Sequence, residues 1–487
     1  MENRVLKNLE PCEVFKYFEE ICNIPRGSGN ERAISDYLVN FAKELGLEVK
    51  QDDALNVIIR KPGTKGYENA QRIVLQGHMD MVCEKNNDTI HDFTKDPIEL
   101  KIEGDYIYAN NTTLGADNGI AVAYSMAVLA SKDIAHPPIE VLVTTEEETG
   151  MGGAMGLKAE DIEGRTLINI DSEEEGKLLV SCAGGVTSVV SLPICWVDSP
   201  NYKAIDCSII VKGLKGGHSG MDINKERGNA NKILGRLLVE LSQSLDLYLV
   251  DIKGGAKNNA IPREASATIK IYESSLELVK EKSQKLNDIL KNELSSSDPW
   301  VKVEVKILDE ISNKCFSKPT TEKVIELLYL MPNGIYTMSV DIPGLVQSST
   351  NVGVISTLEN EVKFESAVRS SVGSLKEEIV NETKVLANLV GGKMETFSAY
   401  PEWQYDKNSK IRVVFEDVHE KIYGKKPSVE ALHAGLECGL FKEKFGEIDM
   451  ISFGPDLYDV HTPNEHMSIG SVERNWKYLL EVLKTLK

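Results

Sequence analysis

Three consecutive glutamates, Glu146, Glu147 and Glu148, end an apolar β-branched run in residues 139–153, IEVLVTTEEETGMGG. Adjacent carboxylates repel one another unless a cation or a proton intervenes. A glutamate run standing alone is most often a solvated acidic loop, but this one has company. His78 and Asp80 follow the short apolar run 72–76, Asp171 follows 166–170, and His461 lies beyond 450–453. Asp117 opens an apolar helix over 120–130. Two imidazoles with three or more carboxylates suit a hard-to-borderline divalent ion, zinc ahead of a thiolate-loving metal. A single zinc accepts about four ligands and a catalytic one keeps a position open, so this many acids point to two ions sharing a bridging carboxylate. Such a pair acidifies water and polarises a carbonyl while a free glutamate relays the proton, which is chemistry for cleaving an amide.

The spacings carry this reading. In His78-x-Asp80 the imidazole can ligate a metal while the carboxylate two residues on, on the same side of an extended chain, holds the other ring N–H. Successive residues leaving a strand face opposite ways, so two neighbouring glutamates can divide the labour, one ligating and one facing water. Taken singly, each piece has a plainer account: His78 as a structural histidine, Asp117 as a helix cap.

The elements that must position these residues follow from hydrophobic pattern. Residues 139–143, 72–76 and 166–170 are short continuous apolar runs, as expected of parallel strands buried on both faces, and open α/β sheets bind ligands beyond the carboxyl ends of their strands. Ser28 followed by Glu31 reads as a capping box opening a helix to about residue 45. From about 187 the pattern changes to longer polar strands and amphipathic helices, at 204–212, 227–245, 267–272, 276–294, 301–307 and 362–369. The chain returns to its first organisation near 400–403, with a helix at 410–423 and another at 471–486. The expected fold class is α/β: a mixed, mostly parallel sheet flanked by helices, with an inserted α+β lid. The expected domains are 1–187 and 398–487 for the catalytic part and 188–397 for the lid. In the lid, His218 lies among glycines in GLKGGHSG, and Asn259 precedes a rigid Ile261–Pro262 pair. His419 is expected on an exposed helix face.

A chain of 487 residues suggests two domains. With 55 basic and 75 acidic side chains the net charge is −20, which disfavours nucleic-acid phosphates and anionic lipid as partners and leaves a small peptide as the better fit. The eight cysteines show no CxxC pair and read as reduced. The amino-terminal residues lack an apolar signal core, and no run is long enough to span a bilayer, so a cytoplasmic location is expected.

GHMDMV around His78, LGADNG around Asp117, TEEETGMGGAMGL, INIDSEEEG, GGHSG, NNAIPREA, ALHAGLECG and HTPNEH occur in the order found in aminoacyl-histidine dipeptidases. The chain resembles this peptidase D, or Xaa-His dipeptidase, branch of the dinuclear zinc exopeptidases related to carboxypeptidase G and aminoacylase, over nearly its whole length. The resemblance implies that Asp117 bridges two metals, that His78 and Asp171 complete one site and that Glu148 and His461 complete the other. It implies Glu147 as general base and Asp80 as the residue that orients His78. The family pattern Glu-Glu-x-Gly, counted back from Gly150, selects Glu147 and Glu148 and leaves Glu146 as an extra acid. It further implies a homodimer, His218 as support for the carbonyl oxyanion, Asn259 as a substrate contact and Arg369 as the grip on a terminal carboxylate. Manganese or cobalt could replace zinc.

The implied reaction is hydrolysis of dipeptides, Xaa-His such as carnosine among them, by metal-activated water. The alternatives are an N-acyl amino acid deacylase with the same machinery and a non-catalytic peptide- or metal-binding protein.

Overall fold

The computed structural model describes residues 4–200 and 203–487. Residues 1–3 and 201–202, which the expected domains include, lie outside the described residues. The chain forms two compact units, Met1–Ser181 with Trp403–Ala431 and Leu436–Lys487, and Cys182–Glu402 with Leu432–Gly435. These breaks differ from the expected 187/188 and 397/398. Strand Gly184–Pro193 pairs along its length with Glu361–Ser370, and Lys393–Tyr400 pairs back onto it, so both belong to the second unit's sheet.

The first unit is built on a mixed sheet with strand order Glu48–Gln51, Val57–Lys61, Ile139–Thr144, Ile73–His78, Thr166–Asn169, Asp449–Ser452, Lys177–Cys182, Ser428–Leu432. Its four central strands run parallel, and antiparallel pairings lie on either side of them. Ile73–His78 and Ile139–Thr144 are buried at every position, which fits their mostly apolar sequence, and the polar Gln76 and Glu140 within them are bonded to Glu437 and Arg60. In register, His78 lies opposite Thr144, so both strands end at the same edge of the sheet.

A second, four-stranded sheet in this unit has the order Leu457–Tyr458, His466–Ser468, Tyr106–Ala109, Leu100–Glu103. It brings two segments far apart in sequence onto neighbouring strands. The loop before helix Ala116–Ala130 leaves one, and the loop that carries His461 joins the other two.

The second unit is an antiparallel sheet with the order Lys302–Ile307, Ala204–Lys212, Ala265–Tyr272, Leu247–Gly254, Val346–Thr357, Glu361–Ser370, Gly184–Pro193, Lys393–Tyr400, with Gly334–Met338 paired to Val346–Thr357. Helix Ala230–Ser242 buries Leu234, Leu237, Leu238 and Leu241, one face at helical spacing, in a core shared with Ile209, Val211, Leu249 and Ile269.

No helix among the described residues is long and apolar enough to cross a membrane. None of the eight cysteines is in a disulfide.

Candidate metal centre

His78 is the last residue of its strand and is fully buried. Its Nε2 lies 3.1 Å from Asp117 Oδ1 and 3.5 Å from Asp171 Oδ1, while Nδ1 lies 3.2 Å from the Asp80 carbonyl and 3.4 Å from Asp80 Oδ1. The outer ring nitrogen is thus held by Asp80, through its backbone more closely than through its carboxylate, and the inner one is left for the acids. Gly77 permits this close packing: a Cβ there would lie 2.3 Å from Asn118 Oδ1 and 2.4 Å from the Ala121 methyl.

Asp117 sits at the start of helix Ala116–Ala130 with non-helical backbone angles, and its side chain does not cap that helix. Its two oxygens face different partners, Oδ1 toward His78 and Oδ2 toward His461 Nε2 at 3.2 Å. His461 Nε2 also lies 3.0 Å from Glu148 Oε1. Single donor atoms of His78, Asp117 and Glu148 all lie within 4.8 Å of one another. The five expected ligands are therefore brought together, in two groups that share Asp117.

The Asp80 carboxylate does further work. It accepts the Glu147 N–H at 3.1 Å on one oxygen and the Glu148 N–H at 3.3 Å and the Ser28 hydroxyl at 2.7 Å on the other. One side chain thereby fixes His78 and the loop of glutamates together. Ser28 and Glu31 do not form the expected capping box. Helix Arg32–Glu44 has no side-chain cap, Ser28 serves Asp80, and Glu31 accepts the N–H groups of Gly29 and Glu146. The local pattern was present, but longer-range partners won.

Electrostatics set the three glutamates apart. Glu146 turns outward with φ of 51° and is exposed. Burial, with crowding by Asp171, Glu437 and Glu148 against the pull of His78, pushes Glu147 up to about 9. Burial likewise pushes Asp171 up to about 6. Hydrogen bonds to Asp117 and Glu148 carry His461 up to about 11. Carboxylates this crowded call for a concentrated positive charge. Two imidazoles and three carboxylates are a donor set suited to divalent metal, so the residues fit such a group.

In the second unit, His218 Nδ1 accepts the N–H groups of Met221 at 3.0 Å and Gly220 at 3.3 Å. Burial, then Arg369, lowers its pKa. A neutral ring that accepts at Nδ1 carries its proton on Nε2, and that atom lies 3.4 Å from Arg369 Nη2. Two donors thus face each other without an acceptor. Arg369 is 8% exposed, donates to the Tyr400 hydroxyl at 2.6 Å and leaves Nε without a partner. His433 adjoins this cluster, its Nε2 2.7 Å from Ser349 Oγ. Asn259 has an exposed side chain, and its carbonyl accepts the Ser219 N–H at 2.9 Å. His419 is buried with Nδ1 2.6 Å from the Lys425 carbonyl, which corrects the expectation of an exposed face.

The chain belongs to Peptidase family M20/M25/M40, which matches residues 74–485. It is 42% identical, over 484 residues covering 99% of each chain, to the cytosol non-specific dipeptidase of Escherichia coli (strain K12). The crystal structure of aminoacylhistidine dipeptidase from Vibrio alginolyticus matches with a TM-score of 0.95 and 42% identity, over 100% of this chain and 99% of that one. Aminopeptidase PepT of Bacillus cereus, 17% identical with a TM-score of 0.57 over 98% of this chain and 99% of its own, shares the fold. The chain is thus a hydrolase of a metallopeptidase family.

Proposed function

We propose that this protein hydrolyses dipeptides, including Xaa-His dipeptides such as carnosine, with two divalent ions, zinc first among them. The observation that carries the reading is Asp117, whose two oxygens each face a different imidazole. His78, Asp117 and Asp171 would hold one ion, and Asp117, Glu148 and His461 the other. The pair would polarise the scissile carbonyl and acidify water. Glu147, unligated in this scheme, takes the water's proton and returns it to the leaving amine. Asp80 orients His78 and steadies the loop that presents Glu147.

His218, with its proton on Nε2, is the proposed donor to the carbonyl oxyanion. Arg369, a buried guanidinium with a free Nε–H, is the proposed grip on the dipeptide's carboxylate, for which its fork is suited. Asn259 is a further proposed contact. The dipeptidases named among its relatives support the substrate class. The cytosolic relative and the free cysteines support a cytoplasmic, reducing setting. A homodimer is supported by exposed Phe397 on edge strand Lys393–Tyr400 and by exposed Val385 and Leu389 on helix Gly373–Leu389.

The test is turnover of Ala-His against N-acetyl-His by metal-reconstituted protein. A dipeptidase favours the free amine. Preference for the acetylated compound would make it a deacylase, and tight zinc binding without cleavage of either would make it a binding protein.

A further inference from the structure

Asp117 can present both oxygens to the centre only if something else satisfies the start of its helix. The first N–H groups of a helix have no partner within it, and an aspartate at this position would ordinarily cap them. Here the work is done by Glu465, distant in sequence. One of its carboxylate oxygens accepts the N–H groups of Leu114 at 2.7 Å and Gly115 at 3.0 Å, and the other those of Ala116 at 2.8 Å and Asp117 at 3.4 Å. Glu465 is 2% exposed and lies four residues beyond His461, on the loop between strands Leu457–Tyr458 and His466–Ser468.

The same turn is gripped through its opposite polarity by Arg26, also 2% exposed. Its Nη2 donates to the Gly115 carbonyl at 2.5 Å, and its Nη1 to the carbonyls of Met79 at 3.0 Å and Asp80 at 3.3 Å. Close packing leaves no slack, since a Cβ on Gly115 or Gly119 would lie 2.5 Å or 2.7 Å from Arg26 Nη2. Arg26 therefore joins the turn before Asp117 to the segment after His78, and Glu465 joins it to the loop of His461. The hydrogen bonds of both side chains go to backbone atoms, not to the proposed ligand atoms.

We infer that Arg26 and Glu465 are positioning residues for the metal centre, setting the distance of Asp117 from each of the two histidines. The inference rests on the reading that Asp117 bridges two ions. Removing such an outer partner of a metal ligand costs about 10- to 100-fold in affinity. Arg26→Lys keeps the charge but has one ammonium for three carbonyls. Glu465→Gln keeps one accepting oxygen and turns an amide toward N–H donors.

The experiment measures zinc per chain and zinc affinity, by competition with a chromophoric chelator, for wild type and both variants. The melting temperature of each metal-free protein is measured alongside. The expected result is that at least one variant folds and binds zinc about 10- to 100-fold more weakly than wild type. Weaker melting with unchanged zinc affinity in every variant that folds overturns the inference, because these residues then serve the fold and not the centre. So does failure of both variants to fold. Wild type that binds fewer than two zinc ions overturns the two-ion reading and this inference together, whereas two ions held equally by wild type and variants overturns the inference alone.

Discussion

His433 and Glu437 stand four residues apart in the stretch HAGLECG, yet they belong to different units, and burial acts on them in opposite directions. Burial, reinforced by Arg369 and His218, drives the His433 imidazole down to about 3. Burial also pushes the Glu437 carboxyl up to about 7, with Asp171 adding to it while His78, Thr144 and Gln76 oppose. Burial disfavours the charged form of each, one among bases and the other among acids. The units differ in the same way. The first gathers carboxylates around two imidazoles at the ends of parallel strands, a setting for cations. The second gathers Arg369, His218 and His433, with no carboxylate paired to Arg369 among the described residues, a setting for an anion.

The contrast is broken most severely at Glu147. Glu147→Gln is expected to lower kcat by about 10²- to 10⁴-fold, the usual contribution of a general base, with both ions retained. Glu146→Gln is expected to leave kcat within a few-fold. Steady-state turnover with metal analysis checks both, and the opposite outcome would shift the base by one residue.

In the second unit the expected effect is on binding. Arg369→Lys is expected to raise KM for a dipeptide by about 10- to 100-fold, matching the ~1.5–3 kcal/mol of a charged hydrogen bond, with little change in kcat. A dipeptide amide, which lacks the carboxylate, should be handled equally by variant and wild type. If the amide also discriminates between them, Arg369 acts on something other than the carboxylate.

The smallest effects sharpen the comparison through pH. Glu437 has a folded pKa near 7, above its ordinary 4.5. Its contribution to stability is therefore full below 4.5 and is lost as pH rises through 7. His433 has a folded pKa near 3, below its ordinary 6.5, so its contribution is full above 6.5 and is lost as pH falls toward 3. In chelator-treated protein, denaturant titrations across pH should show Glu437→Gln flattening the loss as pH rises from 4.5 to 7 and His433→Asn flattening the loss as pH falls from 6.5 to 3. Slopes unchanged by either substitution would remove the electrostatic contrast.

What could be read from the sequence were features that local pattern marks. Ile73–His78 and Ile139–Thr144 announce themselves because a strand buried on both faces is mostly apolar, the first ending at His78 and the second running through Thr145 into the glutamates. Strand Val346–Thr357 could not be read so, because Ser348, Ser349, Thr350 and Asn351 look like a polar loop yet are buried. Part of the cost is met by bonds from elsewhere, Ser349 to His433 and Asn351 to the carbonyls of Asn258 and Ala260. Arg26 and Glu465 were invisible for a related reason. Their partners are backbone atoms of remote segments, and no residue type records where a carbonyl or an N–H will be left unpaired. Ser28 and Glu31 show the converse, a local capping-box pattern that does not form because Ser28 binds Asp80 and Glu31 accepts from Gly29 and Glu146.

The account turns on Asp117 standing between two cations. Anomalous diffraction at the zinc edge from crystals of the zinc-reconstituted protein tests this most directly. Two peaks are predicted, each within roughly 2–2.2 Å of one Asp117 oxygen, one also bound by His78 and Asp171 and the other by Glu148 and His461. A single peak, or two that leave Asp117 unligated, would contradict it.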